Sequence, residues 1–290
     1  MTEDPFVTHR SLLFTVAYEM LGSAADAEDV VQETWLRWAD VDRTTVRDPR
    51  AYLVRTVTRQ ALNRLRSLSR RREEYVGEWL PEPLLTSPGV AEDVELAESI
   101  SMAMLTVLET LTPTERAVFV LREVFALAFD EIAAAVDKTP AAVRQIAHRA
   151  RAHVEARRPR TQVSRSEQQQ VVERFLAALE TGNVQGLMDV LAPDVVWVAD
   201  GGGKAAALRR PLHGAEVVVA VLSRFTALVP DAELRTVWLN GAPAVRIEAG
   251  EKFGSTAVSL VIEGGRISRI YAMRNPDKLA RLEEETLLVR

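Results

Sequence analysis

The stretch from Phe129 to Val154 constrains the fold more than any other part of this sequence, because it predicts a helix-turn-helix. Apolar residues recur at helical spacing in two blocks, and Asp137-Lys138 separates the blocks. Thr139 and Pro140 then supply an N-cap and a favourable first helical residue. The second helix is left with a basic outer face, the geometry that docks in a DNA major groove. The predicted DNA-reading residues of this face are Arg144, Gln145, His148, Arg149 and Arg151. A helical hairpin with a merely solvated basic face is the alternative, and this stretch alone does not exclude it.

Composition limits the classes of function that the chain can have. Its 290 residues are enough for two or three domains, and its net charge of -5 argues against a wholly basic nucleic-acid coat while permitting basic patches. The absence of cysteine excludes disulfides and thiolate metal sites, and the four scattered histidines argue against any metal site. We therefore expect neither a metal nor a cofactor. The sequence shows no membrane-spanning run and no signal-peptide pattern, so a soluble cytoplasmic protein is expected.

An acidic helix that begins after Ser23 carries two large aromatic residues, Trp35 and Trp38. Acidic residues with exposed aromatic residues are typical of a protein-docking surface. The alternative is that both tryptophans lie in the core and the acids are merely solvated, which is the better interpretation for the helix in isolation. The predicted docking residues are Asp26, Asp29, Gln32, Glu33, Trp35 and Leu36.

The segment from Val46 to Arg72 holds nine arginines and a single acidic residue, Asp48. A solvated helix normally mixes both signs of charge, so this one-signed helix favours contact with nucleic acid. The predicted DNA-contacting residues are Arg55, Arg59, Gln60, Asn63, Arg64 and Arg66.

The charge reverses between Glu73 and Ile100, where eight acids occur without a lysine or arginine. Three prolines in EWLPEPLLTSPG predict a linker. Apolar residues such as Trp79 and Leu80 are unusual in a free linker, so we predict that it docks on another part of the chain or on a partner. Helices resume near Ala91, and a capping box begins at Thr112.

After a second linker at 157–166 the pattern changes to helices followed by strands, which indicates an α+β domain with a mostly antiparallel sheet. Gly264-Gly265 is a hairpin signal between the last two strands. The predicted strands are Val195–Ala199, Leu234–Leu239, Val245–Ala249, Ala257–Glu263 and Ile267–Met273. Candidate residues for a pocket in this domain are Asp200, Trp197, His213 and Trp238.

Residues 1 to about 160 resemble a bacterial RNA polymerase sigma factor of the extracytoplasmic-function (ECF) group. DAEDVVQETWLRW looks like the helix that docks on the polymerase β′ clamp, and PRAYLVRTVTRQALNRLRS like the part that melts and reads the -10 element. The stretch from LTPTERAVF to the end of the helix-turn-helix is similar to the domain that reads the -35 element. The resemblance implies two all-α domains, no catalytic residue in them, and core polymerase (β′ clamp and β flap) and promoter DNA as partners.

Residues 165 to 290 resemble a SnoaL-like, NTF2-like domain, a cone-shaped sheet wrapped by helices. A sigma factor with this appendage resembles the ECF41, or SigJ-type, subgroup, and the resemblance implies regulation by the fused domain without a separate anti-sigma factor. Three segments look like signatures of the subgroup: WLPEPL (Trp79, Leu80, Pro81, Glu82, Pro83, Leu84), DGGGK (Asp200, Gly201, Gly202, Gly203, Lys204) and NPDKL (Asn275, Pro276, Asp277, Lys278, Leu279). We predict that WLPEPL packs near the other two.

The resulting division of the chain is a -10-reading domain at 1–75, a linker at 76–98, a -35-reading domain at 99–160 and a SnoaL-like domain at 161–290. Two departures from the family pattern are Asp137 where glycine is common in the turn, and the lack of a good N-cap at Ala128. Three alternatives stay open. The SnoaL-like domain binds a small ligand, it is an enzyme that uses Asp200, or the chain is a DNA-binding regulator that does not contact polymerase.

Overall fold

The computed structural model describes residues 4–158 and 163–290, with backbone only for 69–73 and 252. A first helical unit is built from three helices whose starts are set by polar caps. The Asp4 carboxylate accepts from Phe6 N at 2.9 Å, and the Asp48 carboxylate accepts from Ala51 N at 3.0 Å. The helices are α1 Pro5–Leu21, α2 Ala24–Ala39 and α3 Pro49–Glu73, with a short 3-10 turn at Arg43–Thr45.

A second helical unit follows the linker and is divided into short helices. The predicted capping box is present: Thr112 N donates to Glu115 Oε2 at 3.2 Å. The helix predicted to reach Phe125 ends earlier, at Phe119, and continues as a single π-helical turn, Val120–Val124. The helices are α4 Val94–Ser99, α5 Met102–Leu108, α6 Pro113–Phe119, α7 Phe129–Val136 and α8 Pro140–Glu155, preceded by a 3-10 turn at Pro88–Glu92.

The predicted helix-turn-helix consists of α7 and α8. The Thr139 hydroxyl caps α8 by accepting from Ala142 N at 3.2 Å. Asp137 occupies the left-handed turn position (φ 55°, ψ 57°) where glycine is common. The weak start of α7 is partly compensated, because Ala128 N donates to Glu131 Oε2 at 2.9 Å. The motif therefore keeps its geometry with less favourable turn residues.

The sheet domain (residues 163–290) contains six strands in the order β2-β1-β6-β5-β4-β3. Among the described strands only β1 and β6 pair in parallel, so the predicted mostly antiparallel sheet is confirmed. The sequence did not predict β2, which has two residues. The strands are β1 Leu191–Asp200, β2 Leu212–His213, β3 Glu233–Leu239, β4 Ala242–Glu248, β5 Ser255–Glu263 and β6 Arg266–Met273. The helices are α9 Arg165–Glu180, α10 Val184–Val190, α11 Ala215–Leu228, α12 Gly250–Phe253 and α13 Pro276–Leu279.

The two faces of the sheet bury different parts of the chain. One face packs against α9, α10 and α11 through residues such as Val195, Val245 and Ile270. The opposite face packs Tyr271 and Leu239 against side chains from outside the domain, including Leu80 and Met102. The first and second helical units share a single continuous core. None of the described helices has the length and hydropathy of a membrane span.

Candidate functional site

The structure divides the two tryptophans of α2 between core and surface. Trp38 is 1% exposed and its indole Nε1 donates to the Asp4 carboxylate at 3.0 Å. Trp35 is 39% exposed and lies beside Leu36, which is 64% exposed. Neither sequence interpretation of the pair is therefore complete, since one ring is structural and the other is presented to solvent. Gln32 and Glu33 are exposed on the same helix.

The acidic helix α2 and the basic helix α3 are joined by polar contacts between their predicted functional side chains. Arg64 Nε donates to Asp26 Oδ1 at 2.7 Å, and its Nη2 lies 3.2 Å from Asp29 Oδ2. Gln60 Nε2 donates to Glu33 Oε2 at 2.8 Å. The hydrogen bond to the Asp26 carboxylate raises the pKa of the Arg64 guanidinium. In this arrangement, acidic residues predicted to dock on a protein bind Arg64 and Gln60, two of the residues predicted to contact DNA.

Helix α3 also contacts the helix-turn-helix directly. Arg59 Nη2 donates to Ala134 O on α7 at 2.7 Å. Arg59, Asn63 and Arg66 line a groove of about 620 Å³ together with Asp137 and Lys138 of the helix-turn-helix turn. Two surfaces predicted to read separate DNA elements are thus in contact with one another.

All five predicted residues of α8 are exposed on its outer face. Arg144 lies over the Phe129 ring at 5.4 Å. Arg151 is held by Glu123 at 2.6 Å, whereas Arg149 has only a 3.9 Å contact with Glu115. A solvent-facing row of donors on a helix-turn-helix is suited to phosphate and base-edge contacts.

The connecting segment (residues 76–98) is buried from Leu80 to Leu84, which confirms the prediction that it docks. Glu82 lies at the N-terminus of α2, where its Oε2 accepts from Ala24 N at 2.8 Å and from the Ser23 hydroxyl at 3.2 Å. Burial raises the pKa of Glu82, while these hydrogen bonds to its carboxylate oppose the rise. A linker carboxylate therefore caps the acidic helix from outside.

Asp200, at the end of β1, is the centre of the contact between the connecting segment and the sheet domain. Its carboxylate is fully buried and accepts from the Tyr75 hydroxyl at 2.6 Å and from Leu80 N at 2.9 Å. Gly202 N donates to the same carboxylate at 3.0 Å. Burial, with the adjacent Asp200 charge, raises the pKa of Tyr75, which keeps this hydroxyl a donor. Asp200 is the turn residue of DGGGK, and here it also anchors the linker.

Lys278 of NPDKL supplies the opposite charge. Its Nζ donates to Asp200 Oδ2 at 2.8 Å and to Leu80 O at 2.6 Å, in a site where the lysine is 7% exposed. The ammonium also lies 3.2 Å from the centre of the Trp79 ring and 4.9 Å from that of Tyr75. We call these five residues, with Asn275, the Asp200 cluster.

The glycines of DGGGK permit a close approach within the Asp200 cluster. Gly202 has φ +57°, and a Cβ there would lie 2.3 Å from Asn275 Nδ2. Asn275 Nδ2 donates to the Tyr75 hydroxyl at 2.8 Å. Lys204 pairs with Asp277 at 2.5 Å on the surface, so it links DGGGK and NPDKL without entering the cluster. All three signature segments therefore meet, as predicted.

Sequence reasoning missed a second contact, made by the residues after NPDKL. Thr286 N donates to Leu85 O at 2.8 Å, and Leu288 is buried in the core shared by the helical units. Val289 N donates to the Thr15 hydroxyl of α1 at 3.1 Å. Arg290 lies 2.9 Å from Asp93. The apolar pair Leu287-Leu288 indicated a buried contact at this end of the sequence. Two adjacent residues show no helical or strand periodicity, so they did not indicate which segment they contact.

The four residues proposed for a pocket do not form one cluster. Asp200 is fully engaged in the contacts above. Trp238 lies on β3 and His213 on β2, at opposite edges of the sheet, and His213 is exposed. Trp197 is half-buried on β1 with its ring in the helix-facing core. A cavity of about 250 Å³ is present elsewhere, between α4, α5 and the sheet, and Met102 and Tyr271 are among its lining residues.

Comparisons with known proteins agree with this architecture. The chain matches the family described as Sigma-70 region 2 over residues 6–71, Sigma-70 region 4 over residues 101–154 and the SnoaL-like domain over residues 172–270. It is 35% identical to the ECF RNA polymerase sigma factor SigJ of Mycobacterium tuberculosis over 96% of this chain and 93% of that protein. It is 30% identical to the probable ECF sigma factor SigI of the same species over 96% of this chain and 94% of that protein.

A solved structure extends the similarity to three dimensions. The crystal structure of Mycobacterium tuberculosis SigJ superimposes with a TM-score of 0.78 at 33% identity, covering 96% of this chain and 98% of SigJ. The similarity therefore includes both helical units and the sheet domain in one chain. This chain belongs to the ECF RNA polymerase sigma factors, with a SnoaL-like domain fused after sigma regions 2 and 4.

Proposed function

We propose that the SnoaL-like domain holds sigma regions 2 and 4 together and thereby limits promoter engagement, without a separate anti-sigma factor. The observation that carries the proposal is the Asp200 cluster. Asp200 and Lys278, a buried ion pair of the sheet domain, both hydrogen-bond to the backbone of Leu80, which lies in the linker between the two promoter-reading regions. Because the same linker caps α2 through Glu82, the position of the sheet domain is coupled to region 2.

Geometry gives a reason for inhibition. The -10 and -35 elements lie about 25 base pairs apart, which is about 85 Å at 3.4 Å per base pair. Arg59 of region 2 and Ala134 of region 4 are joined by a 2.7 Å hydrogen bond. Two surfaces in contact cannot engage both elements at that separation, so the regions must part before they bind a promoter.

Transcription in vitro tests the proposal with the Trp79→Ala variant. This change removes the ring that contacts Lys278 and stacks edge-on with Tyr75, their ring centroids being 4.8 Å apart. We expect start-site-specific transcripts from wild-type protein with core polymerase and several-fold more from the variant, accompanied by faster proteolysis of the connecting segment. Unchanged transcription together with unchanged proteolysis would reject the regulatory proposal. Absence of any transcript would instead favour a DNA-binding regulator.

We propose that α2 contributes the main polymerase contact, on the β′ clamp, through Trp35 and Leu36 with the exposed acids around them. Truncating a central exposed aromatic residue costs an interface about 2 kcal/mol or more, roughly thirtyfold in affinity. Trp35→Ala is therefore expected to weaken binding to core polymerase by that factor in a titration. Leu228→Ala, at another exposed apolar residue on the sheet domain, is the matched control and should bind like wild type.

Region 4 is proposed to contact the β flap and to read the -35 element through α8. Of Arg149 and Arg151, Arg149 has the weaker intramolecular contact, whereas Arg151 must first leave Glu123. Arg149→Ala is expected to cost about 1–3 kcal/mol in binding to cognate promoter DNA. Arg151→Ala should cost less, because its wild-type side chain gives up an ion pair. Fluorescence anisotropy with a -35 duplex measures both, and an equal loss would contradict this difference.

A further inference from the structure

The turn between β3 and β4 lies where region 2, the start of region 4 and the linker meet. Its first residue, Asn240, is 1% exposed and adopts the left-handed conformation, with φ 53°. None of WLPEPL, DGGGK and NPDKL includes it. A fully buried polar side chain at the tip of a hairpin requires a set of fixed partners, because an unsatisfied amide in the interior is costly.

Asn240 has such partners on three separate segments. Its Nδ2 donates to the Tyr18 hydroxyl of α1 at 2.7 Å and to Ile100 O at 2.8 Å. Its Oδ1 accepts from Leu84 N at 3.0 Å, and its own backbone N donates to Leu84 O at 3.0 Å. Both amide hydrogens and the amide oxygen are therefore used, one on region 2, one at the entry to region 4 and one on the linker.

The backbone after Asn240 is equally confined. Gly241 has φ +73°, and a Cβ at this position would lie 3.0 Å from Ala97 Cα. Gly241 N donates to the Thr86 hydroxyl at 3.0 Å. Leu239, on the other side, forms a bridge with Leu85. Glycine at position 241 therefore avoids both a strained φ and a close contact with Ala97.

The contact to Tyr18 extends to the polymerase-docking helix. The Tyr18 hydroxyl donates to Glu82 O at 2.7 Å, and the Glu82 carboxylate caps α2. Next to Tyr18, Glu19 accepts from the Ser99 hydroxyl at 2.8 Å. A continuous series of hydrogen bonds thus runs from the sheet domain through Asn240 to the start of α2.

We propose that Asn240 is a positioning residue that locks region 2 to region 4, and that withdrawal of the Asn240-Gly241 turn is the step that lets the regions separate. This inference rests on the proposed function, in which the closed arrangement limits promoter engagement. The Asp200 cluster attaches the sheet domain to the linker, whereas Asn240 hydrogen-bonds to both regions and to the linker with one side chain. The two contacts therefore have separable effects.

The test uses Asn240→Gly, which tolerates a positive φ while removing all three side-chain hydrogen bonds. Because the sequence contains no cysteine, pairs of introduced cysteines carry distance labels without further changes. Val7→Cys with Ala152→Cys reports the distance from region 2 to region 4, and Val7→Cys with Val184→Cys reports the distance from region 2 to the sheet domain. All three positions are exposed.

In Asn240→Gly we expect a longer and broader Val7–Ala152 distance distribution, an unchanged centre for the Val7–Val184 distribution, and transcription raised on the order of tenfold. Asn240→Asp, which replaces the donating amide by a second acceptor facing Ile100 O, should act in the same direction. Asn183→Gly, which removes the N-cap of α10 within the sheet domain, is the control and should leave both distances unchanged.

The outcomes separate this inference from the proposed function. Unchanged Val7–Ala152 distances in both Asn240 variants, with wild-type melting curves, would overturn the role of Asn240. A longer distance without increased transcription would uphold the positioning role and reject inhibition by closure. A longer Val7–Val184 distance with an unchanged Val7–Ala152 distance would also overturn the inference, because the turn would then hold only the sheet domain.

Discussion

Replacing Lys278 by methionine is expected to release the sheet domain from the linker. Methionine fills a similar volume, but it leaves the fully buried Asp200 carboxylate without its cation. Removing one partner of a buried ion pair typically costs about 3–5 kcal/mol, because the other charge stays uncompensated. We expect faster proteolysis of the connecting segment, a lower melting temperature and increased transcription. Limited proteolysis of full-length protein measures the first effect most directly.

The matched control is Lys204→Met, which removes an exposed pair with Asp277 that is worth at most about 1 kcal/mol. The double variant Asp200→Asn with Lys278→Met removes both buried charges and should recover part of the lost stability. If Lys278→Met behaved like Lys204→Met, the Asp200 cluster would not be what holds the linker. A double variant less stable than Lys278→Met would also contradict the prediction, because it would show that the uncompensated Asp200 charge is not the cause of the lost stability.

Replacing Arg116 by methionine is expected to loosen region 2 from region 4. Arg116 on α6 is 1% exposed; its Nε donates to Glu19 O on α1 at 3.0 Å, and its Nη1 to Glu109 Oε1 at 2.6 Å. Loss of this buried cation removes a direct hydrogen bond between the regions and leaves the Glu109 carboxylate without its partner, again an effect of about 3–5 kcal/mol. Differential scanning calorimetry and the Val7–Ala152 distance should both report the change.

Glu19 makes this interface sensitive to pH. Burial raises the pKa of Glu19 to about 8, and burial lowers the pKa of Arg116 to about 9. The folded protein therefore holds the Glu19 proton more tightly than the unfolded chain, whose ordinary pKa is 4.5. The contribution of Glu19 to stability is full below that value and is lost as the pH rises to about 8.

The expected result is a melting temperature that falls between pH 6 and pH 8.5 in wild-type protein and falls more steeply in Arg116→Met, because the arginine charge lowers the pKa of Glu19. Glu19→Gln keeps an acceptor for the Ser99 hydroxyl and should flatten this dependence. A pH profile that is identical in wild type and Glu19→Gln would show that other groups determine it.

Local features of the fold were predictable because their causes are local. The Thr112 capping box, the Thr139 cap and the turn at Asp137 each depend on side chains within a few residues, and each is present. Strand-like sequence patterns likewise predicted five of the six strands. The split of Trp35 and Trp38 was not predictable, since both rings fit the periodicity of α2 and only the position of Asp4 and α3 decides which one is buried.

Predicting contacts between distant segments required another kind of sequence signal. The meeting of WLPEPL, DGGGK and NPDKL followed from apolar residues in an acidic linker and from the family resemblance, and the Asp200 cluster confirms it. Asn240 had no such signal, because an asparagine-glycine pair between strands reads as an ordinary hairpin turn. Glu19 and Arg116 lie on separate helices and each reads as a surface charge until the helices are packed together.

The engagement of Arg64 with Asp26 shows that a residue predicted to read DNA has an intramolecular partner in the free protein. A one-signed helix predicts nucleic-acid contact, and the free protein satisfies that charge with the acids of α2. We predict that in the promoter complex the same arginine exchanges one partner for another. The sequence indicates the charge, and only the packing shows which anion holds it.

The distance between regions 2 and 4 tests the central claim most directly. Spin labels at Val7→Cys and Ala152→Cys would be measured in the free protein and again in the complex with core polymerase and promoter DNA. We predict a single short distance in the free protein, set by the contact of Arg59 with Ala134, and a distance longer by tens of ångströms in the promoter complex. The same short distance in an actively transcribing complex would contradict control by separation of the two regions.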